Sequence, residues 1–319
     1  MPSSATPSEL EQPNDAEKPS DSEQPGRGSP AVSVPGRRGG SVRAVPAGAS
    51  SLSLLASELA TLFRRRRTMA MLVALAAIPV LIAVAVRLSS AVPPGRGPAF
   101  LDRISQNGLF VAVTAMLVSV PLVLPLTIGV VAGDTIAGEA SLGTLRYLLV
   151  APAGRVRLLL VKYAGALAFC LAAPITVALA GAAIGASLFP IGPVTLLSGD
   201  VVQPPEAALR LLLIAAYLAV SLAGLSAIGL FLSTMTVVPV GAMAATVVVS
   251  VASQIADQLP QLEWLHPWLF THFWFGFADV LRQPVLWDSF ASNALLQAGY
   301  IAVFGALAYA RFVTRDILS

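Results

Sequence analysis

The run LLLIAAYLAVSLAGLSAIGLFL, residues 211–232, holds no charged side chain. After only four residues, STMT (233–236), a second uncharged run begins, VVPVGAMAATVVVSVASQIA (237–256). A helix rises 1.5 Å per residue, so the first run extends about 33 Å, enough to cross a hydrocarbon core of about 30 Å. Lipid offers no partner for bare backbone groups, which makes a helix the economical way to cross. Four linking residues permit nothing but a tight reversal, so the pair predicts a membrane hairpin.

The rest of the chain follows the same pattern. Its 319 residues are 56% hydrophobic and only 12% charged, and the mean hydropathy is +0.77. Soluble domains carry about a quarter charged residues, so a soluble globular protein is excluded. Four more runs are long enough to span: 68–86, 108–132, 163–189 and 291–310. The prediction is an all-α polytopic membrane protein with six transmembrane helices. Pro79, Pro121, Pro125, Pro174 and Pro239 fall within these runs as expected bend points. GVVAG (129–133) and GAAIG (181–185) place glycines four apart, a spacing that permits close helix–helix contact.

Residues 1–50 are rich in Pro, Ser, Gly, Glu and Arg and have no apolar stretch of a secretory leader. Such a segment buries too little surface to offset its ordering entropy, so a disordered tail is expected there, with the membrane domain occupying 51–319. Within that domain SLSLLASELATLFRRRR (51–67) repeats leucine at spacings of three and four and ends in Arg64, Arg65, Arg66 and Arg67. It reads as an amphipathic helix lying on a membrane surface, its arginines anchored by anionic lipid.

The basic residues also orient the chain. Of 20 Lys and Arg, 18 are arginine, and they flank apolar runs rather than gathering into a nucleic-acid-binding face. With both termini in the cytoplasm, ten basic residues flank the spans inside and five outside, the arrangement the positive-inside rule selects in a plasma membrane. In this topology all four tryptophans, Trp264, Trp268, Trp274 and Trp287, fall in one external loop, where they read as an aromatic belt.

Catalytic constellations are missing. A phosphate-binding loop needs glycine before lysine, but Lys18 and Lys162 follow Glu17 and Val161, so the chain has no ATPase site of that kind. His266 and His272 lack a third ligand in sequence, and lone Cys170 lies in an apolar run, so no metal or other cofactor is expected. The spans carry no mid-bilayer acid or base of the sort that ion-coupled carriers use.

Charge concentrates instead in GDTIAGEASLGTLRYLLVAPAGRVRLLLVK (133–162), which the topology places in the cytoplasm. Asp134 could cap a helix starting at Thr135, with Leu142, Leu145 and Leu149 on one stripe and Glu139, Gly143 and Arg146 on another. Pro152 and Gly154 would end it, and Arg155, Arg157 and Lys162 would return the chain to the headgroups. A short exposed helix with one apolar and one polar stripe fits a groove on a soluble partner.

The stretch GEASLGTLRYLLVAPAGRVRLLLVK resembles the first cytoplasmic loop of ATP-binding-cassette transporter permeases of the six-span, type-two export class. The matching positions are Glu139, Gly143, Thr144, Leu148, Leu149, Pro152, Arg155 and Lys162. LASELATLFRRRR is similar to the elbow helix of that family, and RFVTRDI (311–317) to its ending. The resemblance implies a coupling helix built on Glu139, Gly143, Thr144, Leu145, Arg146 and Leu149. It also implies a second permease chain, identical or different, and two copies of a P-loop ATPase subunit that docks on this helix and drives export of a lipophilic or amphipathic substrate. The rival readings are a non-transporting membrane scaffold and a membrane-embedded enzyme; the latter calls for convergent polar residues inside the spans.

Overall fold

The structure is a computed structural model that describes residues 51–89, 107–143 and 155–314. The expected tail, the link between the first two spans, and the centre of the 133–162 segment lie outside the described residues. The described residues form eight α-helices in chain order: α1 (Ser51–Arg64), α2 (Arg66–Ser89), α3 (Leu109–Ser119), α4 (Val123–Ser141), α5 (Arg155–Leu188), α6 (Pro204–Met235), α7 (Pro239–Asp257) and α8 (Asp288–Thr314). Six of them, α2 and α4 to α8, are long and apolar enough to cross a membrane.

Helix α6 is the hub. It packs on α4, α5, α7 and α8, and 72% of its most apolar window is buried against 11% for α8, which sets α6 at the centre and α8 at the rim. The hairpin read from STMT is present: α6 closes at Met235 and α7 opens at Pro239, a first-turn position where a missing N–H costs nothing. The main core gathers Met116, Leu124, Phe169, Tyr217, Leu218 and Trp274, all nearly inaccessible. Cys170 belongs to it as a small buried hydrophobe.

The expected second span, 108–132, is two helices. Pro121 lies between α3 and α4, and its carbonyl, whose regular donor four residues on would be the N–H that Pro125 lacks, accepts a hydrogen bond from Gln254 Nε2 of α7 at 2.8 Å. Helix α4 then runs on to Ser141, nine residues beyond the expected end. Pro125 sits in its first turn without disturbing it, whereas Pro79 and Pro174 lie inside continuous helices, so only Pro121 of the five expected bend points divides a span.

Both glycine pairs act as contact points. A Cβ on Gly181 would lie 2.7 Å from that of Ala112 on α3, and one on Gly133 would lie 2.8 Å from the backbone N of Met243 on α7. One small departure from an all-helical chain occurs: Val194–Thr195 and Val201–Val202 pair antiparallel, with Val194 opposite Val202. Gly199 turns the connection at φ +91°, a conformation glycine adopts without steric cost.

Candidate functional site

At the end of the bundle that carries the arginines, Lys162 of α5 is 6% exposed and grips two carboxylates. Its Nζ lies 2.6 Å from Glu139 Oε1 at the end of α4 and 2.7 Å from Glu58 Oε1 of α1. Beside it Asp134 faces Arg65 and Arg67, each 3.5 Å away, and Arg67 Nη2 reaches Met243 Sδ at 2.9 Å. Glu58, Lys162, Asp134, Arg65 and Arg67 line a cavity of about 40 Å³. Short charge-assisted contacts are strong where they are buried, so the Lys162 triad is the firm part. The Asp134 pairs, with half-exposed arginines, contribute little.

This geometry revises the reading of 133–162. No helix begins at Thr135: α4 continues through Asp134, whose carboxylate turns sideways to the arginines instead of capping. Nor does a helix pass through Gly143. With φ +69° and its N–H donating to Ala140 O, Gly143 closes α4 in the left-handed conformation that favours glycine. Glu139 therefore belongs to the last turn of a bundle helix and not to a separate polar stripe. Thr144, Leu145, Arg146, Leu149 and Pro152 lie outside the described residues. Arg155 opens α5 and Lys162 sits two turns in. Glu139 and Lys162, 23 residues apart, are thus brought together, so the end of α4 is clasped to the second turn of α5.

Helix α1 forms where the leucine spacing places it, but it ends at Arg64 and a single bend at Arg65 leads into α2. Arg64, Arg65, Arg66 and Arg67 are all exposed. Glu58 was not singled out by its sequence, although it is the only acid in 51–67 and faces the only lysine of the membrane domain.

The opposite end carries the tryptophans. Trp264, Trp268 and Trp287 are exposed, as a belt requires, but Trp274 is buried and donates from Nε1 to Ser221 O at 3.0 Å, which makes it core. Two short 3₁₀ segments, Pro260–Trp268 and Gly276–Leu281, shape this loop. Arg210, one of the five basic residues on the outer flanks, is buried; its Nη1 donates to Val280 O (2.7 Å) and Arg282 O (2.8 Å), pinning the loop to α6. Two polar residues that composition passes over, Asn293 and Gln297, are buried in α8. Asn293 Nδ2 donates to Ser221 Oγ and Gln297 Nε2 to Phe270 O, both at 2.8 Å, so they latch α8 to α6 and to the loop. His272 Nδ1 is 2.7 Å from Asp257 Oδ1 and its ring stacks near that of His266. Among the described residues no group of three His, Cys, Asp or Glu is placed to hold a metal ion.

Comparison with curated proteins finds no match. Comparison with protein families matches residues 72–318, well over half of the chain, to the family described as protein of unknown function, DUF2705. The match begins within α2 and runs through α8, and the chain belongs to the DUF2705 family.

Proposed function

We propose that the protein is the membrane-spanning permease subunit of an ATP-binding-cassette exporter, energised in trans by a P-loop ATPase that docks on the loop between α4 and α5. The observation that carries this reading is the clasp. Glu139 and Lys162 are the first and last matching positions of the transporter-like motif, and their 2.6 Å contact ties the two ends of the segment to α4 and α5. A force applied to a loop held this way reaches α4 and α5 directly instead of dissipating in slack chain. The lipophilic or amphipathic cargo is supported by an apolar groove of about 680 Å³ at the tryptophan end, lined by Trp268, Phe273, Leu295, Leu296, Tyr300 and Phe304. That volume falls within the range of ligand sites.

In this reading the basic end is cytoplasmic and the tryptophan loop external, in a plasma membrane. Single cysteines introduced at Gln261 and Ala153 of a Cys170→Ala chain test it. An impermeant maleimide added to intact cells should label the Gln261 position and leave Ala153 unlabelled until the membrane is opened; the reverse pattern defeats the orientation.

The clasp also decides how docking should be tested. Substituting Glu139 breaks the Lys162 triad, so loss of function there would not separate docking from folding. Leu145→Asp alters the loop and spares both ends. Copurified with its ATPase in proteoliposomes, this variant is expected to insert normally and to lose at least ten-fold of the stimulated ATP hydrolysis. Unchanged stimulation removes the docking role, and a chain that copurifies with no ATPase at all favours the scaffold reading.

A further inference from the structure

Ser233, in the last turn of α6, is fully buried and places its hydroxyl inside the hydrogen-bond ladder of a different helix. Its Oγ donates to Gly133 O at 2.7 Å and accepts from the backbone N–H groups of Ile136 (3.0 Å) and Ala137 (2.8 Å). In an α-helix Gly133 O is the regular acceptor for Ala137 N–H, so the hydroxyl takes the place a bridging water takes where a ladder is opened.

The surroundings fit a pivot. Gly133 meets the backbone of α7 at Met243, and a Cβ on Gly229 of α6 would lie 2.8 Å from Ala132 Cβ, so three helices converge on one level through their smallest residues. Beyond that level α4 continues only as a short arm, which carries Asp134 and Glu139. Glu139 lies about 9 Å farther along the axis and is clasped to Lys162.

We propose that residues 133–137 are a built-in bending point of α4. Opening a helical ladder inside a packed bundle normally leaves buried amides and carbonyls without a partner, which is costly. The Ser233 hydroxyl holds Gly133 O and both amides while the regular bonds lengthen, so the arm swings against α6 at little cost. The bending point stands whether or not an ATPase docks; that a docked partner uses it rests on the permease reading.

The test uses the chain alone in lipid nanodiscs, so its outcome is independent of that reading. Spin labels are attached at Ser141→Cys and Met235→Cys, both exposed positions, in a Cys170→Ala chain. The distance distribution between arm and α6 is then measured by pulsed electron resonance. The native pair is expected to show two populations. Ser233→Ala removes the stand-in partner, stiffens the ladder and should leave one, and Ser233→Thr, which keeps a hydroxyl, should restore the second. An unchanged distribution in Ser233→Ala overturns the proposal. So does a broader one, because the hydroxyl would then be a staple that restrains the arm. If Ser233→Ala does not fold, the threonine variant alone decides: two populations support the bending point and one overturns it.

Discussion

Lys162→Met is expected to lower folding stability by about 3–5 kcal/mol, the range for deleting one partner of a buried ion pair. The ammonium is almost inaccessible, whereas Glu139 and Glu58 keep 17% and 26% of their side-chain surface exposed, so water cannot replace it efficiently from the lysine side. Two carboxylates are then left facing the space the ammonium filled, and their repulsion adds to the lost attraction. The loss should concentrate on α1. That helix is held to the bundle by Glu58 and by the partial burial of Leu62 and Phe63, so its amides should exchange faster while those of α6 do not. Denaturant titration in mixed micelles, followed by Trp274 fluorescence, measures the stability, and amide exchange over 51–64 locates the loss. The triple variant Lys162→Met, Glu58→Gln, Glu139→Gln should recover most of it, because neutral amides tolerate the site without a cation. A single variant as stable as the native chain would mean that the triad is open to solvent and holds nothing.

The same triad separates what the sequence makes legible from what it hides. The helices long and apolar enough to cross a membrane were visible because uncharged runs of this length favour the form that satisfies its own backbone groups. The hairpin of α6 and α7 was visible because so short a link admits little else, although the reversal itself falls at 236–238 and most of STMT is helical, and GAAIG was visible because glycine spacing states directly how near another backbone can come. Glu58 was not, since its partner is 104 residues away and nothing local marks a surface-helix acid as one that turns inward. Ser233, Asn293 and Gln297 were hidden for a related reason: neutral polar residues scarcely lower the hydropathy of a span, and their meaning depends on which backbone they reach. The helix expected from Thr135 failed on a choice between two local signals. Asp134 is a good cap, but helix ends form only where the ladder stops, and α4 reaches Asp134 with no breaker before Gly143. The residue that looked like part of a polar stripe was the stop signal.

Replacing glycine by alanine should have opposite signs at two positions of the bundle. At Gly181 the new methyl would lie 2.5 Å from Ala112 Cα and 2.7 Å from its Cβ. The nearest atom is backbone, so no rotamer relieves the overlap and α3 must move away from α5. Overpacking of this kind costs about 1–3 kcal/mol. In lipid the loss is not offset elsewhere, because helix association there depends on close van der Waals contact and not on excluding water. Gly181→Leu, which drives the helices farther apart, should exceed the alanine cost and scramble the packing of Gly185 against Gly108. Gly305 of α8 has nothing within 4 Å of its would-be Cβ. There alanine only removes a flexible residue from a helix, and stability should rise by about 0.5–1 kcal/mol. Both variants are read by the same unfolding titration, in the same micelles, against the native chain. Equal and small effects would mean that α3 and α5 are not in backbone contact. A cost at Gly305 as large as that at Gly181 would mean that the open face of α8 is covered by another molecule once the protein is assembled, since none of the described residues comes near enough to resist a methyl group.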